Sequence, residues 1–224
     1  MLILLAVLIL GLSPGFAWLV FYLTEDKHPE PKRLILFTFM AGIAFAFFTV
    51  VVERLFANTA AGLQIPQLSI ISLIGLAAIE EMMKFAAADF AIGKSPLLQD
   101  PVDVMIYMIV AALGFATLEN IGAVVNLAAS GTLPIGDALG TLSLRFVGAT
   151  LLHSLTAATL GYYWATGIAR KKTTRYIILG FVIAVALHTI FNYLILNYEN
   201  VAYAIIFLAI VGFFVLNDFE KLKK

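Results

Sequence analysis

The chain has 224 residues, of which 62% are apolar and only 12% charged, where a soluble domain averages about half and a quarter. It therefore lacks the polar surface that a water-soluble domain needs. Fourteen basic and fourteen acidic residues cancel to zero net charge, which argues against a nucleic-acid partner, and the absence of cysteine excludes disulfides and thiolate chemistry. The expected class is all-α: one polytopic transmembrane helix bundle over residues 1–224, multi-pass in the cell membrane, with the lipid bilayer as its solvent.

Seven apolar stretches follow in chain order, at roughly 1–23, 34–57, 68–92, 104–129, 138–168, 176–196 and 201–217. The first is apolar from its second residue and lacks the basic start of a cleaved signal peptide, so it reads as a retained span. Polar or turn-rich breaks separate the stretches at Thr24–Arg33 (with Pro29 and Pro31), Asn58–Gln67, Gly93–Asp103, Ser130–Asp137, Ala169–Arg175 and Asn197–Asn200. The fifth is long enough to tilt or kink near Gly148.

Basic residues test this division. With the N-terminus outside, Lys27, Lys32, Arg33, Lys94, Arg170, Lys171, Lys172, Arg175, Lys221, Lys223 and Lys224 fall on one side, which is 11 of the 14. The positive-inside rule makes that side cytoplasmic and places the C-terminus inside. An even number of spans would scramble the asymmetry.

Charged groups within the spans are costly and call for a reason. The third stretch carries Glu80, Glu81 and Lys84, the fourth Glu119 and Asn120, the fifth Arg145 and His153, and the sixth His188 and Asn192. At a rise of about 1.5 Å per residue these groups lie at nearly one depth. Glu80 and Lys84 share a helix face, as do Phe115 and Glu119, and His188 and Asn192; Arg145 and His153 lie near one face. Ala77, Ala78, Gly114, Ala116, Gly148 and Ala149 nearby let the helices approach closely.

Such a cluster suits general acid–base chemistry on a bound water. Glu80 can activate a water, with Glu81 and Lys84 orienting it and Glu119 or His153 relaying protons. Lys84, one turn from Glu80, can keep one carboxylate ionised. His188 and Asn192 offer donors for an oxyanion hole, and Arg145 can bind a substrate carbonyl or lock a carboxylate. Glu80, Glu119, His153 and His188 also form a plausible ligand set for a single zinc, although no His-Glu-x-x-His spacing announces a metal. The cofactor expectation is therefore none or one Zn.

Taken singly, each feature has a bland reading: a Glu80–Lys84 ion pair that bridges helices, a Glu119–Asn120 hydrogen bond, a satisfied core histidine at His153, packing at Phe115. Glu53 and Arg54 read as snorkelling at a span end. Asp137 and Asp103 read as helix N-caps, Asp89 as an interfacial group and His28 as a loop residue. Trp18, Tyr22 and Trp164 suit the water interfaces.

The four elements in order resemble a known pattern. Glu80-Glu81-Met82-Met83-Lys84 resembles the Glu-Glu-x-x-Lys motif of the PrsW family. Phe115-Ala116-Thr117-Leu118-Glu119-Asn120, preceded by Leu113-Gly114, resembles its Phe-x-x-x-Glu-Asn motif. Arg145 with His153, and His188-Thr189-Ile190-Phe191-Asn192, are similar to its third and fourth elements, and Ser13-Pro14-Gly15 is similar as well. The family is distantly similar to CAAX-prenyl endoproteases, where a histidine stands at the place of Glu119. The resemblance implies intramembrane proteolysis of a single-pass membrane protein, of the anti-sigma-factor site-1 type. Three rivals stay open at this point: a proton- or ion-coupled transporter, a scaffold subunit, and a seven-span zinc hydrolase of lipid amides. The slight outward bias of the site predicts a cut within the membrane or just outside it.

Overall fold

The computed structural model describes residues 2–24, 30–93, 95, 98, 100–129, 140 and 143–223, the side chains of 2–8, 10 and 127–129 excepted. Among these residues the chain is all-helical. Helix α1 spans Leu2–Leu23, α2 Lys32–Gly62, α3 Ile70–Ile92, α4 Pro101–Ala129, α5 Leu151–Ala169, α6 Thr173–Asn197 and α7 Ala202–Leu222. A π-helical turn, Phe146–Thr150, leads into α5 where the irregularity near Gly148 is expected. Lys27, His28, Pro29, Lys94, Lys224 and the break at Ser130–Asp137, with the N-cap expected at Asp137, lie outside the described residues.

Among the described residues four helices are long and apolar enough to cross a membrane: Lys32–Gly62, Pro101–Asn126, Thr173–Asn197 and Ala202–Leu222. The outer faces of α2, α6 and α7 are apolar in the open, as at Phe47, Phe48, Val182, Ile206 and Phe213. Patches on this scale mark a lipid or partner surface rather than one bathed in water. The chain is a membrane protein.

Helix α4 is the axis of the bundle. It packs against α1, α2, α3 and α5, α3 also meets α6, and α5 carries α6 and α7. From Met105 to Leu113 it is almost without exposed surface, so it reads as apolar on every side rather than as an amphipathic stripe. Close approach needs small residues at the crossings. A Cβ on Gly42 would lie 2.0 Å from the Ala111 carbonyl oxygen, and one on Gly114 would lie 2.1 Å from that of Phe39. Backbone cannot yield as a flexible side chain can. Gly42→Ala is therefore expected to force α2 from α4 and lose about 1–3 kcal/mol. Gly122→Ala, with open space around its Cβ, is expected to be neutral or slightly stabilising. Unfolding midpoints of the two variants in detergent check this.

Local signals explain the helix starts. Ser69 caps α3, its side chain accepting the Ser72 backbone N–H at 3.3 Å. Asp103 is not the N-cap of α4 but lies in its first turn, and its carboxylate accepts the Asp100 N–H at 2.9 Å. The helix starts two residues earlier because Pro101 needs no backbone donor at that position.

Three further expectations change. Helix α2 continues to Gly62, so Glu53 is an interior residue and not a terminal one. Tyr22 and Trp164 turn inward, since burial gives each a partner: the Tyr22 hydroxyl lies 3.0 Å from Ser154 Oγ, and Trp164 packs on Phe85. Trp18 likewise donates through Nε1 to the Phe146 carbonyl at 2.9 Å.

Candidate active site

Glu80, Glu81 and Lys84 on α3 meet Glu119 and Asn120 on α4, His153 on α5, His188 on α6, and Arg145 beside the π-helical turn. The expected convergence of four helices is present in space. Burial is graded: the side chains of Glu81 and Lys84 are fully enclosed, Glu80 is 12% exposed, Arg145 24% and Glu119 31%. The cluster is dry at α3 and open toward Glu119 and Arg145.

Lys84 pairs with Glu81 at 2.5 Å, not with Glu80. Both spacings lie on one helix face, and the choice follows from what else is near. Glu81 Oε1 also accepts from Thr156 Oγ1 at 3.0 Å and meets His188 Nδ1 at 2.7 Å. Three donors on one oxygen hold it as a buried carboxylate.

The same network fixes the histidine tautomers. Lys84, as an ammonium, has donors alone, so His153 Nδ1, 3.0 Å away, must accept. The ring proton then sits on Nε2 and is donated to Glu119 Oε2 at 2.9 Å. His188 donates through Nδ1 to Glu81, which leaves Nε2 as a lone pair.

Those two nitrogens, the first of them already accepting from Lys84, face a third acceptor. Glu80 Oε2 lies 3.8 Å from His153 Nδ1 and 3.6 Å from His188 Nε2, and this buried oxygen has no hydrogen-bond partner. Ligand atoms of Glu80, His153 and His188 all fall within 4.8 Å of one another. Three acceptors turned on one point are held there at a cost that the Lys84 ammonium offsets at His153 Nδ1 alone, and Glu80 Oε2 is left for another cation or donor.

The π-helical turn has a purpose in this arrangement. Eight residues of regular α-helix would set Arg145 and His153 about 80° apart. One extra residue taken up by a π turn brings that to about 20°. Both side chains then reach Glu119 Oε2, Arg145 through Nη2 at 3.1 Å and His153 through Nε2. Arg145 Nε also donates to Asn120 Oδ1 at 2.6 Å, and Asn120 Nδ2 donates to Thr150 Oγ1 at 3.1 Å. Of the two roles expected for Arg145, the lock on a carboxylate is the one formed.

A profile described as PrsW family intramembrane metalloprotease matches residues 30–217. The chain belongs to the PrsW family. Protease PrsW of Geobacillus kaustophilus is 27% identical over 86% of this chain and 81% of its own length. Protease PrsW of Bacillus subtilis is 23% identical over 96% and 95%, and that of Clostridioides difficile 21% over 96% and 90%. No solved structure matches. The chain is thus a peptidase of an intramembrane protease family, and the transporter, scaffold and lipid-amidase readings are withdrawn.

The metal that the family description carries fits the residues present. Glu80, His153 and His188 could hold an ion if the Lys84 ammonium gives up His153 Nδ1, since their acceptor atoms converge. The opposite nitrogen of each histidine is bonded to a carboxylate, Glu119 for His153 and Glu81 for His188, the second layer that metal-ligating histidines usually have. Glu119, expected as a fourth ligand, sits instead on the far side of the His153 ring.

Some site residues escaped the sequence reading. Thr156 holds Glu81 and Thr150 holds Asn120; a buried threonine in an apolar helix gives no signal of its own. Glu53 lies near enough to Glu119 and Glu80 to act on their charges. Glu53 is a partly buried residue in the interior of α2. Phe115 packs against the His153 ring and under Lys84, as expected of a packing residue. Asn192 lies one turn beyond His188 on α6 and joins none of the hydrogen bonds described within the cluster, while His188 gives its Nδ1 proton to Glu81.

Proposed function

We propose that the protein is an endopeptidase that cuts single-pass membrane-anchored proteins within the cell membrane or just outside it. In this reading the chain makes about seven spans, N-terminus out and C-terminus in, as one domain over 1–224. The observation that carries the reading is the convergence of Glu80, His153 and His188 on one point beneath a half-exposed Glu119. Glu80, His153 and His188 would hold a single zinc. Such an ion, when bound, polarises a carbonyl and acidifies water toward neutral pH.

The chain's own groups divide the remaining work. Glu119, the most exposed of the clustered carboxylates, takes the proton of the attacking water and returns it to the leaving amine. Its bonds to Arg145 and His153 both fall on Oε2, so Oε1 carries neither. Arg145 fixes the carboxylate in place. Glu81, held by Lys84 and Thr156, orients His188 and keeps its proton on Nδ1.

The test is a set of single-span reporters reconstituted with the purified protein, their products mapped by mass spectrometry. Cuts are expected inside the span or at its outer end, and a chelator is expected to stop them. Cleavage confined to a cytoplasmic loop of the reporter overturns the proposal.

A further inference from the structure

Access to the cluster has a direction. Its exposed members are Arg145 and Glu119, and among the described residues Arg145 is also the one charged group in the wall of a groove of about 420 Å³. The groove runs between the segment Ser143–Ala149, α6 and α7. Phe191 and Leu208, 5% and 2% exposed, form its floor from the core, whereas Leu144, Ile195 and Ile205 form a rim that is 64%, 45% and 47% exposed. Its volume lies within the range of about 300–1,000 Å³ typical of specific ligand sites.

We propose that this groove receives the apolar segment of the substrate in extended form and leads its backbone past Arg145 to the polar cluster. The proposal rests on the protease reading and adds to it where the substrate binds and what it must be made of. Three features support the assignment. The wall is continuous with the site, because Arg145 lines the groove and also holds Glu119 and Asn120. Nε and one N–H of Nη2 are committed to those bonds, so Nη1 and the second Nη2 N–H are left to donate to a backbone carbonyl. Beside it Gly148 leaves room: a Cβ there would touch Phe191 Cζ at 3.5 Å, an ordinary contact, and nothing nearer. A substrate side chain can occupy that space. With apolar walls and one cation at the inner end, the groove selects apolar side chains and rejects basic ones, whose charge would be desolvated beside Arg145.

The probe is a lysine-flanked Leu/Ala peptide of about 20 residues with one benzophenone side chain at its midpoint, photolysed with the full chain in phosphatidylcholine–phosphatidylglycerol nanodiscs. Adducts mapped by mass spectrometry are expected on Leu144, Val147 and Ile205. Gly148→Leu and Ile205→Trp fill the groove from opposite walls, and each is expected to cut that labelling about tenfold. Phe48→Trp, on the outer face of α2, is expected to leave it unchanged. Adducts spread over the outer faces of α2 and α7, absent altogether, or indifferent to both groove-filling variants overturn the groove. Capture does not require cleavage, so the two readings fail separately. Groove adducts in a protein that cuts no reporter contradict the protease mechanism, and cleavage with adducts elsewhere contradicts the groove.

Discussion

Glu119→Gln is expected to lower the turnover of a membrane-anchored reporter by about 10²–10⁴-fold, the range for a lost general acid–base group. Metal content is expected to stay near the wild-type level. The amide oxygen still accepts the His153 Nε2 proton, so the imidazole keeps the tautomer with its lone pair on Nδ1. Glu80→Gln behaves differently, lowering activity and metal content together, because Glu80 Oε2 is the acceptor that His153 and His188 face. Steady-state rates beside metal analysis of both variants separate a proton carrier from a ligand. Equal metal loss in the two variants would refute that division of roles.

The second large effect is on stability. Lys84 and Glu81 are enclosed without side-chain exposure, and their pair is the deepest charge contact in the bundle. Removing one partner of a buried pair strands the other, typically at a cost of about 3–5 kcal/mol. Lys84→Met fills the volume of the lysine stem and isolates the Glu81 carboxylate with only Thr156 and His188 as donors. It is therefore expected to destabilise the protein by that amount. Adding Glu81→Gln removes the stranded charge, so the double variant is expected to recover much of the loss. Unfolding midpoints of the single and double variants measure the coupling. A Lys84→Met protein within about 1 kcal/mol of the wild type would show that the pair is not a structural anchor.

The sequence carried the cluster's membership well, and for a physical reason. Ionisable residues in apolar stretches are few, so Glu80, Glu81, Glu119, His153 and His188 stand out without knowledge of the fold. Pairing within the cluster was less legible. Spacing permits Lys84 to meet either Glu80 or Glu81, and the choice depends on Thr156 and His188, which arrive from other helices. Glu53 was misjudged because apolar content ends near residue 57 while the helix continues through Ala60 and Ala61 to Gly62, polar neighbours being no bar to helix formation. The joint reach of Arg145 and His153 to one oxygen depends on a π turn, which spacing alone does not reveal. Convergence at one depth was visible from residue counting; the direction of each nitrogen was not.

Metal content of the purified protein, measured by mass spectrometry beside His188→Ala and Asn192→Ala, tests the central claim most directly. The account predicts close to one zinc per chain in the wild type and in Asn192→Ala, with loss in a folded His188→Ala protein. A well-folded wild-type protein that is free of metal and still cleaves its reporter would contradict it.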